Sequence, residues 1–174
     1  MAGCGNDGSM YIEAVLTFSR ERLLYDISNC CYIEGSIMET ESAHERHMVQ
    51  DAVEEGNVER ILRVLDLNVA RCREYLYGFT KCDVERAELD NSLGNVTTYG
   101  IVLKLPWSYS QTTLDLLERL VHEYLVSGTV YEWLSITDTK KADVWREKWK
   151  EAEDGIEKCM HSRRERVRRK VHPF

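Results

Sequence analysis

Three observations in the sequence predict an α+β, predominantly helical fold, a bundle of about five helices with two short strands. Only Pro106 and Pro173 interrupt 174 residues, so long stretches are free to form helices. Apolar residues recur at helical spacing through most of the chain. Two segments, residues 11–18 and 98–105, alternate with a period of two instead. The length suits one domain with one main core, since division would leave two marginal cores.

The segments follow in order. Residues 1–9 are rich in Gly, Asn, Asp and Ser and lack an apolar run, and they read as a disordered N-terminus. A single helical domain is expected over residues 10–160, followed by a basic C-terminal arm over residues 161–174. The strand YIEAVLTF places Ile12, Ala14, Leu16 and Phe18 on one face. Ser19 stands at an N-cap, and Leu23, Leu24, Ile27, Cys30, Cys31, Ile37 and Met38 follow at helical spacing. Ser42 and Glu45 form a capping-box pattern, opening a short polar helix that should stop near Gly56. Asn57 is expected to cap the next helix, whose stripe runs from Val58 through Ile61, Leu65, Val69 and Cys72 to Leu76. Residues 78–96 are polar and turn-rich, and they read as a surface loop.

The second strand, TYGIVLKL, should end at Pro106, which has no donor for a ladder. Ser110 is expected to cap a long helix over residues 111–135, apolar on more than one side and therefore central. Asp138 opens the last helix, where Trp145, Trp149, Ala152, Ile156, Met160, Val167 and Val171 keep a three-four rhythm. LLYDISNCCYIEG (residues 23–35) aligns without gaps on LLERLVHEYLVSG (residues 116–128), a faint echo compatible with duplication or with two similar strand–helix units. Each segment ends on a glycine, a choice that close helix–helix approach would explain.

Composition and motifs point away from several function classes. No apolar run reaches the roughly 18–20 residues a membrane span needs. Six cysteines without a CxxC pair read as reduced, mostly buried thiols. His44 and His47 are three apart, but without a zincin's Glu context they read as a solvated helix face, so no metal is expected. His122 and Glu123 could supply acid–base chemistry, yet no nucleophile or second acid stands at a defined spacing from them. A phosphate-binding glycine loop and a nucleophile elbow are both missing from the sequence. The expectation is a protein that is not an enzyme and uses no cofactor. Trp107 and Tyr109 flank the end of the second strand, and are candidate interface anchors as well as candidate core residues.

Charge inverts at the C-terminus. From Lys158 onward there are seven Lys/Arg and one acidic residue, whereas the chain before it carries 16 Lys/Arg against 29 Asp/Glu. Arg163, Arg164, Arg166, Arg168, Arg169 and Lys170 could hold phosphates or dock on an acidic neighbouring subunit. Val167, Val171 and Phe174 thread apolar groups among them, which favours a docking arm that binds a protein partner.

The strand YGIVLKLP, the segment LLERLVHEYLVSGTVYEWL and the Trp-rich helix running to arginines and Pro-Phe resemble small proteins encoded in phage and prophage structural modules. The resemblance covers residues 98–174 and extends to the N-terminal strand and helix, and the acidic middle of the chain departs from it. It implies a non-enzymatic virion protein of head–tail connector, neck or tail-completion type, assembled as a ring. Such a protein would act in the virion after assembly in the host cytoplasm. Its partners would be its own copies and neighbouring structural proteins, with no membrane involved. The alternative is a nucleic-acid-binding regulatory protein that uses the arginine-rich tail.

Overall fold

Strand β1 (Tyr11–Ser19) and strand β2 (Thr98–Pro106) pair antiparallel in a computed structural model that describes residues 11–40, 42–76, 97–107 and 109–161. The expected N-terminal tail, the loop at residues 78–96 and the arm beyond His161 lie outside the described residues. The register runs from Tyr11 opposite Pro106 to Ser19 opposite Thr98. Alternation then sends Leu16, Phe18, Tyr99, Ile101, Leu103 and Leu105 into the core from one face. Ile12 has the same parity and was expected among them, but it is 48% exposed, and Ala14 is only half-buried. The covered part of β1 is therefore its second half.

Five α-helices follow among the described residues: α1 (Arg20–Ser36), α2 (Ala43–Gln50), α3 (Val58–Tyr75), α4 (Gln111–Thr137) and α5 (Thr139–His161). The predominantly helical α+β class is thus what the chain adopts. Ser19 caps α1 by accepting from the Arg22 amide at 3.4 Å, and Ser42 caps α2 by accepting from Glu45 at the same distance. Helix α1 ends at Ser36, short of the expected Met38, with the Ile37 amide donating to the Ile33 carbonyl at 3.1 Å. A 3₁₀ turn over Asp51–Val53 ends the α2 segment before Gly56. Asn57 occupies the N-cap position of α3 without capping it. Its side-chain amide instead donates to the Asp51 carbonyl at 2.9 Å, tying the helix to that turn. Ser110 likewise makes no side-chain cap bond, whereas Asp138 accepts from the Lys140 and Lys141 amides and opens α5 one residue after α4 ends.

Helix α4 is the central element, with residues 124–130 buried on every side. Fully burying each of its Leu and Val side chains stabilises the fold by roughly 1.5–3 kcal/mol. Helix α5 folds back on α4 and sets Trp149 against Tyr124 and Tyr131, with ring centroids 5.5 and 5.8 Å apart. A Cβ at Gly128 would lie 2.8 Å from the Trp149 indole nitrogen and 3.0 Å from Asn68, so the helices can meet there only over a glycine. At Gly35 a Cβ would lie 2.9 Å from the Arg46 carbonyl oxygen of α2. Both glycines of the internal echo therefore sit at close helix–helix contacts. Buried polar groups cross these seams in pairs. Asn68 donates to Thr129 at 3.3 Å, and the Trp133 indole donates to the Val49 carbonyl at 2.9 Å.

Candidate interaction surface

The sheet has helices behind one face and none of its large outward side chains buried on the other. Tyr11 is 63% exposed, Val15 55% and Val102 38%, and Val15 and Val102 are cross-strand partners. Glu13 stands opposite Lys104 beside them. Just past β2, Trp107 is 58% exposed. Aromatic and β-branched groups gathered on an open sheet surface, with charges interspersed, suit a protein contact better than a solvated face.

The two strand edges differ. The Arg20 amide donates to the Thr97 carbonyl across the sheet, continuing the register by one step, so even-numbered β1 residues form the hydrogen-bonded pairs. Odd-numbered residues of β1 therefore aim their amides and carbonyls at its outer edge, as do Thr98, Gly100, Val102, Lys104 and Pro106 on β2. The β2 edge is partly closed. The Arg73 guanidinium from α3 donates twice to the Gly100 carbonyl, at 2.7 and 3.2 Å, and Pro106 has no amide to offer. On β1, Tyr11, Glu13, Val15 and Thr17 include neither proline nor lysine.

Trp107 and Tyr109, paired in the sequence reading, part company here. Trp107 faces solvent, while Tyr109 packs against the core and donates its hydroxyl to the Cys159 carbonyl at 2.8 Å. Burial pushes its phenol up to about 12. Tyr109 tethers the β2–α4 connection to α5, and of the two candidate anchors only Trp107 is exposed. Arg163, Arg164, Arg166, Arg168, Arg169, Lys170 and Phe174 lie outside the described residues.

His122 and Glu123 do not converge. His122 Nε2 lies 2.9 Å from Asp26 Oδ2, which also takes the Arg22 side chain at 3.1 Å, and it borders a shallow cleft with Thr17, Ser19 and Arg119. Glu123 is exposed and borders a different hollow, with Trp145 and Lys148. The histidine thus clips α4 to α1. His44 and His47 are both exposed on α2, and no group of three potential metal ligands occurs among the described residues. Burial pushes the Cys31 and Cys72 thiols up to about 12 each, so they stay protonated at neutral pH.

Sequence reasoning missed two features. One is the contrast between the sheet edges, which depends on the parity of the ladder and on an arginine from α3. The other is the solvent side of α1, where Tyr25, Tyr32 and Ile33 are exposed, joined by Ile37 just past the helix end, which was expected on the apolar stripe. Their spacing was a signal: with Leu23, Ile27 and Cys31 on the opposite side, α1 is apolar on both faces. No described helix is long and apolar enough to cross a membrane. Comparison of the chain with family models, curated proteins and solved structures finds no match.

Proposed function

We propose that this is a non-enzymatic virion assembly protein of head–tail connector, neck or tail-completion type. It works by shape and charge complementarity with its own copies and with neighbouring structural proteins. The observation that carries this reading is the outward face of the sheet, where Tyr11, Val15, Val102 and Trp107 stand exposed beside a β1 edge that no other described strand pairs. Weak contacts of this size gain strength when symmetry repeats them. The charge inversion adds a second surface, since a basic arm on an acidic body can dock on the body of a neighbour. On this reading the protein resides in the virion and is assembled in the host cytoplasm.

Deletion of residues 163–174 tests the proposal. The truncated chain should unfold at the same temperature as the full chain yet fail to enter assembled particles. Normal incorporation of the truncated chain would contradict a docking arm. The same residues would carry the nucleic-acid alternative, which predicts duplex DNA binding that falls steeply with salt and disappears on deletion.

A further inference from the structure

The outer edge of β1 bears on the identity of the partner. We propose that β1 pairs with β1 of a second copy of this chain, antiparallel across a two-fold axis through Val15, joining two two-stranded sheets into one of four strands. This rests on the assembly reading above and gives its first contact an occupant and a register.

The edge chemistry favours a copy of the same strand. Tyr11, Glu13, Val15 and Thr17 aim amides and carbonyls outward in alternation, so the edge supplies donors and acceptors in equal number. A two-fold axis at Val15 uses the whole strand: Tyr11 meets Ser19, Glu13 meets Thr17, and Val15 meets its own counterpart. Like charges never oppose each other in this register, whereas an axis at Glu13 would set two carboxylates side by side. On the inward face Ile12 comes opposite Phe18 of the copy, a covering for the exposed isoleucine that the helices leave at that end. The β2 edge offers no such match, because Arg73 holds the Gly100 carbonyl and Pro106 lacks an amide. A β1–β2 chain of copies is thereby disfavoured, and pairing closes at two. Any ring would be built from these dimers through another surface, such as Trp107.

Native mass measurement on the full chain and four variants tests the pairing. The unmodified chain should show a dimer whose share rises with concentration. Val15→Pro removes an outward amide that β2 does not use, so it should leave the protein folded and monomeric. Val102→Lys alters the same outward face on the other strand and should leave the dimer intact. Thr17→Lys would place a cation opposite Glu13 of the copy in two symmetric pairs and tighten the dimer about two- to thirty-fold. Thr17→Glu should weaken it by a similar factor. The last two variants read the register even if the proline variant misfolds. A monomer across the whole concentration series would overturn the pairing. So would a dimer that ignores Thr17→Lys and Thr17→Glu, or one lost in Val102→Lys, which would indicate face packing. Each of these results leaves the assembly reading standing if the chain still joins neighbouring virion proteins. A dimer that joins none of them sinks that reading and spares the pairing.

Discussion

At Gly128 two effects of opposite sign compete. Alanine is the better helix former by roughly 1 kcal/mol, but its methyl would press on the Trp149 ring and the Asn68 amide. Overpacking of a rigid aromatic contact typically costs about 1–3 kcal/mol, so Gly128→Ala should lower stability, as a smaller urea midpoint. Gly35→Ala should cost at least as much, because a Cβ there would lie 2.6 Å from Gln50 Cγ and 2.9 Å from the Arg46 carbonyl oxygen, a backbone atom that cannot swing aside. The buried thiols supply a pH signature. Cys31 and Cys72 rise from 9.0 to about 12, so the folded state holds their protons more tightly than the unfolded chain. Their contribution is complete below pH 9.0 and is lost as pH rises toward about 12. The urea midpoint should fall over that window, and less steeply in Cys31→Ala, with an unchanged slope contradicting the buried-thiol account. Both glycines could be read as close contacts from the sequence. Which residues press on them could not, since Trp149 and Asn68 meet only once three helices have packed.

Among elements, the helix starts show how far local chemistry reaches. Ser19, Ser42, Asn57 and Ser110 all look like N-caps, yet only Ser19 and Ser42 bond to their own helices. Ser19→Ala should therefore cost about 1 kcal/mol of stability, and Ser110→Ala only a few tenths, in parallel thermal or urea unfolding. Equal losses would mean that the caps do not differ in this way. Strands β1 and β2 were legible because alternation is local, and so was the centrality of α4, whose apolar residues occupy more than one side. Illegible were the contacts that close the bundle. The Trp145 indole donates to Glu34 at 3.0 Å, and Lys141 pairs with the same carboxylate at 3.1 Å. Both bring together residues more than a hundred positions apart, a distance that no local pattern spans. Ile12 marks the opposite case. Its parity promised burial, yet it is 48% exposed at the start of β1.

For the whole molecule, the proposed function rests on the outward face and edge of the sheet and on the basic C-terminal segment. Among the described residues no further strand pairs the outer edge of β1 and apolar side chains stand exposed beside it, while the sequence turns basic after α5. The exposure of Trp107 follows from its position at the end of a strand, whereas the basic arm, read from its charge, lies outside the described residues. Which edge is open was hidden, because it follows from ladder parity and from Arg73 on a distant helix. On the proposed reading, an assembly subunit built this way needs no reactive centre. Its activity is the free energy of contacts repeated by symmetry. The most direct test of the proposal is the native mass of the full chain, alone and mixed with the proteins encoded on either side of it. The account predicts a self-associated species alone and a larger defined complex in the mixture. A persistent monomer that joins none of those proteins would contradict it.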